Sequence, residues 1–297
     1  MDTACSAFGF NSLEVLDTAN SLLKEKSRSG FLHYFHLVYP SFKMGSRSTG
    51  DLQNYLQNMM DLRKKNDIRE DDIIQAFIDI LNEVNDSFSV NEAAEEMFDI
   101  FVDNLIYSYS TLLFCLYELA VNEDVQQDAI GEIRRHKKQK NQITEDSLKA
   151  LTYLDMVIKE TLRKYPPVPI VFNKCEEDYN IPDVDLRLPK GTFVFVSIFG
   201  IHHDLDNFPD PEKFNPDRFS EENMKFVKPN TYLPFGYSLR RDIGIRLTTT
   251  QIKLGLLNIL SSFSVSLDKS HTLAFNNKKL PVCPEEPLPL KFEPLKD

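Results

Sequence analysis

The chain has 297 residues, of which 42% are hydrophobic, and this is enough for one large domain or two smaller ones. Its formal net charge of −11 argues against nucleic acid as a partner, because a phosphate backbone requires a basic surface. No run of about 18 apolar residues occurs, so the sequence predicts no transmembrane helix. The four cysteines, Cys5, Cys115, Cys175 and Cys283, are too widely spaced for a metal site and indicate reduced thiols in a cytosol-facing protein.

The first 165 residues predict a helical region. Apolar residues recur at helical spacing in residues 13–26, 51–65, 69–82, 91–121, 123–140 and 144–164. The third segment is predicted to bury one apolar face, made of Ile73, Ile74, Phe77, Ile80 and Leu81. An aromatic-rich stretch follows the first helix at 31–42, and a break at 85–90 precedes the fourth. Thr144 is the predicted N-cap of the last helix.

Residues 166–297 predict short strands and one further helix. Strand patterns occupy residues 179–182, 186–189, 192–197, 263–267 and 288–292. A turn is predicted at Lys190-Gly191, a proline-studded meander at 204–218, and a final helix at 247–260. The whole pattern favours a mainly α fold with small β elements.

One loop carries the most specific signal. Residues 234–244 read Pro-Phe-Gly-Tyr-Ser-Leu-Arg-Arg-Asp-Ile-Gly. This resembles the haem-ligand loop of the cytochrome P450 family, whose pattern is Phe, Gly, any, Gly, Pro, Arg, any, Cys, any, Gly. Phe235, Gly236, Arg240 and Gly244 match, and the resemblance identifies them as cofactor-binding positions. Asp242 stands where the family has the cysteine that ligates iron.

Three linked segments support the resemblance. Residues 159–167 resemble the Glu-x-x-Arg helix of the family, 211–219 its Pro-x-Arg-Phe segment, and 201–204 the run before that segment. Weaker similarity reaches back to residue 5, so the resemblance covers nearly all of the chain and is closest to insect microsomal members. It implies a cytochrome P450 fold forming a single partial domain over 1–297, with its N-terminal part missing.

The resemblance also implies a buried ion triad of Glu160, Arg163 and Arg218. Glu160 and Arg163 are three residues apart, so they lie on one face of a helix and both can meet Arg218 from the meander. The alternative is an exposed helix pair of little energetic consequence. We favour the triad, because the meander matches the family as well.

The family's oxygen-side pattern, Ala-Gly-x-acid-Thr, corresponds to residues 103–107, which read Asp-Asn-Leu-Ile-Tyr. Ile106 and Tyr107 therefore replace the acid and the threonine that relay protons to bound oxygen. Isoleucine cannot carry a proton, and tyrosine would crowd the oxygen pocket. Asp103 and Asn104 add polar bulk where alanine and glycine are expected.

Other positions remain open. Where the family usually places an arginine that pairs with a haem propionate, Asn173 falls nearest, and Lys174 can substitute as a point charge if the register shifts by one. Family context makes His202 and His203 structural residues rather than metal ligands. The basic run 134–138 is favoured as a solvated helix end, with a reductase-facing patch as the alternative.

By resemblance, the protein binds haem and iron and is a monooxygenase for small lipophilic compounds, with electrons from an NADPH-dependent reductase at the cytosolic face of the endoplasmic reticulum. Asp242 is either a weak iron ligand or, as we favour, a surface aspartate. Together with Ile106 and Tyr107 it predicts impaired catalysis. The alternative is a non-catalytic relative or a small-molecule-binding scaffold, and an unrelated helical interaction protein ranks far below. Lacking the family's anchor, this chain would be cytosolic.

Overall fold

The structure, a computed structural model, describes residues 47–70, 72–83, 90–139, 144–236, 242–267, 273, 284 and 286–295. The predicted helix at 13–26, the aromatic-rich stretch at 31–42 and nearly all of the break at 85–90 lie outside these residues. The chain divides into two compact units, Met1–Tyr109 with Asp242–Gln251 and Ser110–Arg241 with Ile252–Asp297. The single-domain assignment stays a prediction.

Helices dominate the described residues, which confirms the mainly α prediction. They are α1 (Arg47–Asn66), α2 (Ile73–Glu83), α3 (Val90–Val121), α4 (Glu123–Gln139), α5 (Glu145–Lys149), α6 (Thr152–Lys164), α7 (Ile198–His203) and α8 (Asp242–Leu260). Two short 3-10 helices, Pro216–Phe219 and Met224–Phe226, lie in and after the predicted meander.

The described strands pair as three two-stranded antiparallel sheets. The strands are β1 (Ile170–Lys174), β2 (Tyr179–Asn180), β3 (Arg187–Leu188), β4 (Phe193–Ser197), β5 (Phe263–Leu267) and β6 (Leu290–Pro294). They pair as β1 with β4, β2 with β3 and β5 with β6. Five of the six were predicted to within about two residues. The sequence did not indicate β1, which is matched to β4 from Ile170 opposite Ser197 to Lys174 opposite Phe193.

In the first unit, α2 begins at Ile73 rather than at residue 69 because Asp72 caps it. The carboxylate of Asp72 accepts the N–H of Gln75 at 3.0 Å and two hydrogen bonds from Arg63 of α1 at 2.5 and 2.6 Å. Burial raises the pKa of Asp72, but these hydrogen bonds leave it below its ordinary value. The predicted apolar face needs one correction, since Ile78 is buried whereas Ile80 is 43% exposed.

In the second unit, the helix predicted at 144–164 is two helices, so that prediction is wrong. Thr144 is confirmed as an N-cap and forms a reciprocal capping box with Ser147, but α5 ends after one turn. The next helix, α6, has no side-chain cap at its own Leu151. Its first N–H groups are instead bound by Glu132 of α4, whose carboxylate accepts from the backbone of residues 153 and 154 at 2.8 and 3.0 Å. A capping partner distant in sequence cannot be read from local periodicity.

The core of the second unit combines apolar helix faces with one buried amide. Fully or nearly fully buried apolar side chains come from α3, α4, α6 and α8, and include Leu119, Ile130, Ile133, Leu154, Val157 and Leu256. Gln126 of α4 binds strand β5: its Nε2 donates to the carbonyl of Val265 and its Oε1 accepts the N–H of the same residue, both at 2.8 Å. This amide pair fixes β5 against α4.

Part of α3, Asp103–Val121, has the length and mean hydropathy, 1.2, of a membrane-spanning helix. Acidic residues at positions 103 and 118 interrupt its apolar sequence, so the stretch contains no uninterrupted run of about 18 apolar residues. Over half of this stretch, 56%, is buried inside the protein. The core helix of a globular protein has the same properties, so a single such stretch is weak support for a membrane span.

Candidate functional site

The segment that resembles the haem-ligand loop begins with a tight turn. The N–H of Gly236 donates to the carbonyl of Leu233 at 2.7 Å, and Gly236 has a φ of +76°. Residues with a Cβ rarely adopt that backbone conformation, which accounts for glycine at this position. Phe235, beside it, is buried with 7% of its surface exposed.

Asp242, at the position that the resemblance assigns to the iron ligand, is the first residue of α8. For Asp242 and Gly244 only the backbone is described, and Arg240 lies outside the described residues. The sequence holds no cysteine between Cys175 and Cys283.

The positions predicted for the proton relay lie in the part of α3 that belongs to the first unit. Ile106 is buried with 7% exposed, and Asp103 and Tyr107 are half-buried. Isoleucine carries no exchangeable side-chain proton, so Ile106 cannot supply the acid of such a relay.

Polar side chains of the same stretch bind α8 instead. Nδ2 of Asn104 donates to Oγ1 of Thr248 at 2.8 Å, and Oγ of Ser108 donates to Oε1 of Gln251 at 2.7 Å. Asn104 and Thr248 are 3% and 1% exposed. The remaining amide atoms, Oδ1 of Asn104 and Nε2 of Gln251, are buried without a hydrogen-bond partner among the described residues. In this contact, Asn104 and Gln251 therefore each use only one of the two polar atoms of the side-chain amide.

The structure brings together the three residues of the predicted ion triad. Nε and Nη2 of Arg163 donate to the two carboxylate oxygens of Glu160 at 2.8 and 2.9 Å, and both side chains are 0% exposed. Nε of Arg218 lies 3.4 Å from Oε1 of Glu160, within ion-pair distance but without hydrogen-bond alignment. Nη2 of Arg218 donates to the carbonyl of Asp210, and the N–H of Asn215 donates to Oε1 of Glu160 at 3.0 Å. The α6 ion pair thereby holds the meander.

The two adjacent histidines differ in their partners. Both ring nitrogens of His202 are hydrogen-bonded to backbone groups, and burial lowers its pKa to about 4. Nδ1–H of His203 donates to the carbonyl of Phe199 in its own helix, and burial also lowers its pKa. No group of three or more His, Cys, Asp or Glu side chains that could hold a metal occurs in the described part of the chain.

The positions considered for a propionate contact lie at the end of β1. Asn173 and Lys174 are both exposed. Nζ of Lys174 lies 5.8 Å from the ring centroid of Phe193, its cross-strand partner, in a cation–π contact. This contact gives Lys174 a local role in the β1–β4 sheet.

Of the four thiols, the structure describes two. Cys115 is buried in α3, and its Sγ donates to Oγ1 of Thr161 at 3.2 Å. Burial raises the pKa of Cys115 to about 12, so this thiol stays protonated and unreactive. Cys175 follows β1 and is partly exposed. Cys5 and Cys283 lie outside the described residues.

A cavity of about 300 Å³ lies within the second unit, at the carboxyl ends of α3 and α6. Its lining includes Tyr117, Glu118, Lys164, Tyr165 and Phe199. Glu118 is 2% exposed and accepts hydrogen bonds from the hydroxyl of Tyr165 and from Nζ of Lys164, the latter at 2.8 Å. Burial and the Glu118 carboxylate both raise the pKa of Tyr165 above its ordinary value. The wall therefore combines aromatic rings with a neutralised buried charge.

Two polar contacts were not predicted: the carboxylate of Glu118 bound by α6, and the ring of His202 bound to Leu233. A lone charge inside an apolar helical run was the available signal for Glu118, because such a charge needs a partner. No local signal identifies the partner of His202, since the two residues are 31 positions apart.

A sequence profile described as Cytochrome P450 matches residues 11–292. Probable cytochrome P450 6a13 of Drosophila melanogaster is 36% identical over 244 residues, which are 81% of this chain and 50% of that protein. Cytochrome P450 6j1 of Blattella germanica is 37% identical over 226 residues, which are 75% of this chain and 44% of that protein. This chain spans about half the length of these curated relatives. With a profile match over nearly its whole length and relatives above 30% identity, the chain belongs to the cytochrome P450 family.

Proposed function

We propose that this chain is a non-catalytic member of its family, which keeps the fold but lacks haem-thiolate oxygen chemistry. The observation that carries the proposal is Asp242 at the position of the iron ligand. A thiolate pushes electron density through iron and favours cleavage of the O–O bond. A carboxylate is a harder and weaker donor and cannot reproduce that effect.

The family uses haem, but the donor set of this chain does not fit a thiolate-ligated haem. Asp242 offers oxygen; of the two described thiols, Cys115 is a protonated core group bound to Thr161, and Cys175 directly follows β1, outside the loop. Two buried side-chain atoms of α3, Oδ1 of Asn104 and Oγ1 of Thr111, have no hydrogen-bond partner among the described residues, and they belong to an amide and an aliphatic hydroxyl, neither of which is an acid near neutral pH. No step of oxygen activation is therefore assigned to these residues.

A carbon monoxide difference spectrum tests the proposal directly. The purified chain is mixed with haemin, reduced and exposed to carbon monoxide. We expect no thiolate-type Soret band, because no cysteine occupies the loop. The appearance of that band with the wild-type sequence would overturn the proposal.

The matched variant is Asp242→Cys in the same chain. We expect no turnover from this variant either, since Ile106 and Tyr107 still occupy the relay positions. Substrate-dependent consumption of NADPH by Asp242→Cys with an added reductase would contradict that expectation, and would mean that the single aspartate is the whole defect.

A small-molecule-binding role is the second candidate, and the cavity beside Glu118 favours it. Its volume of about 300 Å³ and its mixed aromatic and charged wall suit a small polar aromatic ligand. A thermal-shift screen of small aromatic amines and acids tests this role. Phe199→Ala, in the wall, should abolish any stabilisation, whereas Phe226→Ala, 72% exposed elsewhere, should not. A screen without any stabilising compound would remove this candidate.

Lipophilic substrates, an NADPH-dependent reductase and a location at the endoplasmic reticulum are carried over from the family and stay predictions for this chain. The basic residues at the end of α4, Arg134, Arg135, Lys137 and Lys138, are all exposed. Their exposure is compatible both with a solvated helix end and with a patch that faces a reductase. A solvated helix end remains the simpler interpretation.

A further inference from the structure

His202 links three parts of the second unit through its two ring nitrogens. It lies in α7 and is 0% exposed. Its Nδ1 lies 3.0 Å from the carbonyl oxygen of Arg163 in α6, and its Nε2 lies 2.8 Å from the backbone nitrogen of Leu233. Leu233 immediately precedes the tight turn of the loop that resembles the haem-ligand loop.

The partners determine the protonation of the ring. The carbonyl of Arg163 can only accept, so Nδ1 carries the proton. The N–H of Leu233 can only donate, so Nε2 must present a lone pair. The imidazole is therefore neutral, in the Nδ1–H tautomer. A second proton on Nε2 would face the N–H of Leu233 and break that bond.

The link to Arg163 is reciprocal. While the ring of His202 donates to the backbone carbonyl of Arg163, Nη1 of Arg163 donates to the backbone carbonyl of His202 at 3.0 Å. Arg163 is itself held by Glu160, and its Nη2 donates to the carbonyl of Pro211 at 2.7 Å. The orientation of His202 is thus fixed by the buried ion pair.

Tyr232 adds a second attachment next to the first. Its ring stacks on His202 with centroids 5.7 Å apart and an interplanar angle of 17°, and its hydroxyl donates to the carbonyl of Lys159 in α6 at 3.2 Å. The carbonyl of Leu233 then accepts the N–H of Gly236. Residues 232 and 233, which lead into the loop, are therefore hydrogen-bonded to α6 and α7.

We propose that His202 is a positioning residue. As a neutral Nδ1–H imidazole, it links Leu233, which leads into the loop that resembles the haem-ligand loop, to the buried Glu160–Arg163 pair, independently of any haem. The loop approach is then ordered by the protein alone. This goes beyond the proposed loss of catalysis, and its test does not depend on haem binding or activity.

The first test observes the ring itself. Long-range proton–nitrogen NMR of the wild-type chain, with ring nitrogens labelled, distinguishes the two neutral tautomers from imidazolium. We expect His202 to be neutral near pH 6, with the proton on Nδ1. A proton on Nε2, or a His202 ring that is charged at pH 6, contradicts the proposal whether or not any variant folds.

The second test uses trypsin, because Arg240 and Arg241 are cleavage sites inside the loop. In His202→Gln, native-state cleavage at these arginines should accelerate by roughly tenfold relative to cleavage in the basic run 134–138, the factor expected for one lost hydrogen bond. His203→Gln is the matched control, since the described ring contacts of His203 do not include the loop. Equal acceleration at both regions, or in both variants, would mean that His202 has only a general structural role.

Discussion

The buried ion pair of α6 and the polar contact between α3 and α8 are two solutions to the same problem, polar groups removed from water. Around Arg163, the guanidinium binds both carboxylate oxygens of Glu160 and two backbone carbonyls. In the contact between α3 and α8, Asn104 makes one bond to Thr248, and its Oδ1 has no partner among the described residues. The first arrangement is nearly complete, and the second is not.

The difference separates the requirements of the fold from those of the chemistry. A buried charge that loses its partner is strongly destabilising, so any change at Glu160 or Arg163 acts on the whole second unit. Neutral amides and hydroxyls can be replaced in pairs at little cost. The residues at positions 104, 106 and 107 are therefore compatible with a folded helix, whatever their part in the proposed loss of catalysis.

The largest expected effect is at the ion pair. Glu160→Gln leaves the fully buried guanidinium of Arg163 without its counter-charge and should lower the free energy of unfolding by about 3–5 kcal/mol. Chemical denaturation measures this. The control is Arg187→Gln, which removes the ion pair with Asp178 whose side chains are 66% and 49% exposed, and which should lower stability far less because solvent screens an exposed pair. Similar losses in the two variants would show that the buried Glu160–Arg163 pair stabilises the protein no more than an exposed ion pair does.

Acid should weaken the hydrogen bond that the ring of His202 accepts from Leu233. Burial lowers the pKa of this ring from an ordinary 6.5 to about 4. Between these values the unfolded chain binds the proton and the folded chain does not, so stability is present above pH 6.5 and is lost as the pH falls towards 4. The loss is on the order of 3 kcal/mol at most.

Unfolding curves measured across that range should show a steeper pH dependence for the wild type than for His202→Gln. His203 also has a lowered pKa and contributes to both proteins, so the difference between them isolates His202. Parallel pH profiles would mean that His202 is not buried as a neutral ring.

The cap of α6 should have an intermediate effect. Glu132→Ala removes the only described side-chain acceptor for the N–H groups of residues 153 and 154, and should destabilise the protein by about 1–2 kcal/mol. Glu132→Gln keeps one acceptor without the charge and should lose less. If the two variants are equally stable, the negative charge at the helix N-terminus has no measurable role.

The smallest effect is expected at the hydrogen bond between Asn104 and Thr248. Thr248→Val removes the acceptor of the Asn104 amide and should cost about 1 kcal/mol. The double variant Asn104→Leu with Thr248→Val removes both partners and should be close to the wild type, because an apolar pair leaves no donor unsatisfied. A double variant that loses much more than Thr248→Val alone would show that this contact matters as much as the ion core.

Sequence motifs located most elements and identified the residues of the ion cluster. Local patterns failed where the partner is remote: α5 and α6 were merged because the carboxylate that caps α6 comes from Glu132, and β1 was missed although it pairs with β4. The start of α2 was set too early for a similar reason, since Asp72 is fixed by Arg63 of the preceding helix.

The sequence by itself determined the family, the mainly helical class and the presence of an aspartate and no cysteine in residues 234–244, because these depend on residue identity and spacing along the chain. Only the tertiary structure decided which buried polar groups are satisfied. It gave Arg163 its two carbonyl partners, fixed the tautomer of His202 and left Oδ1 of Asn104 without a hydrogen-bond partner in the described part of the chain. These outcomes depend on distances between residues far apart in sequence, which are set by the packing of whole helices against one another.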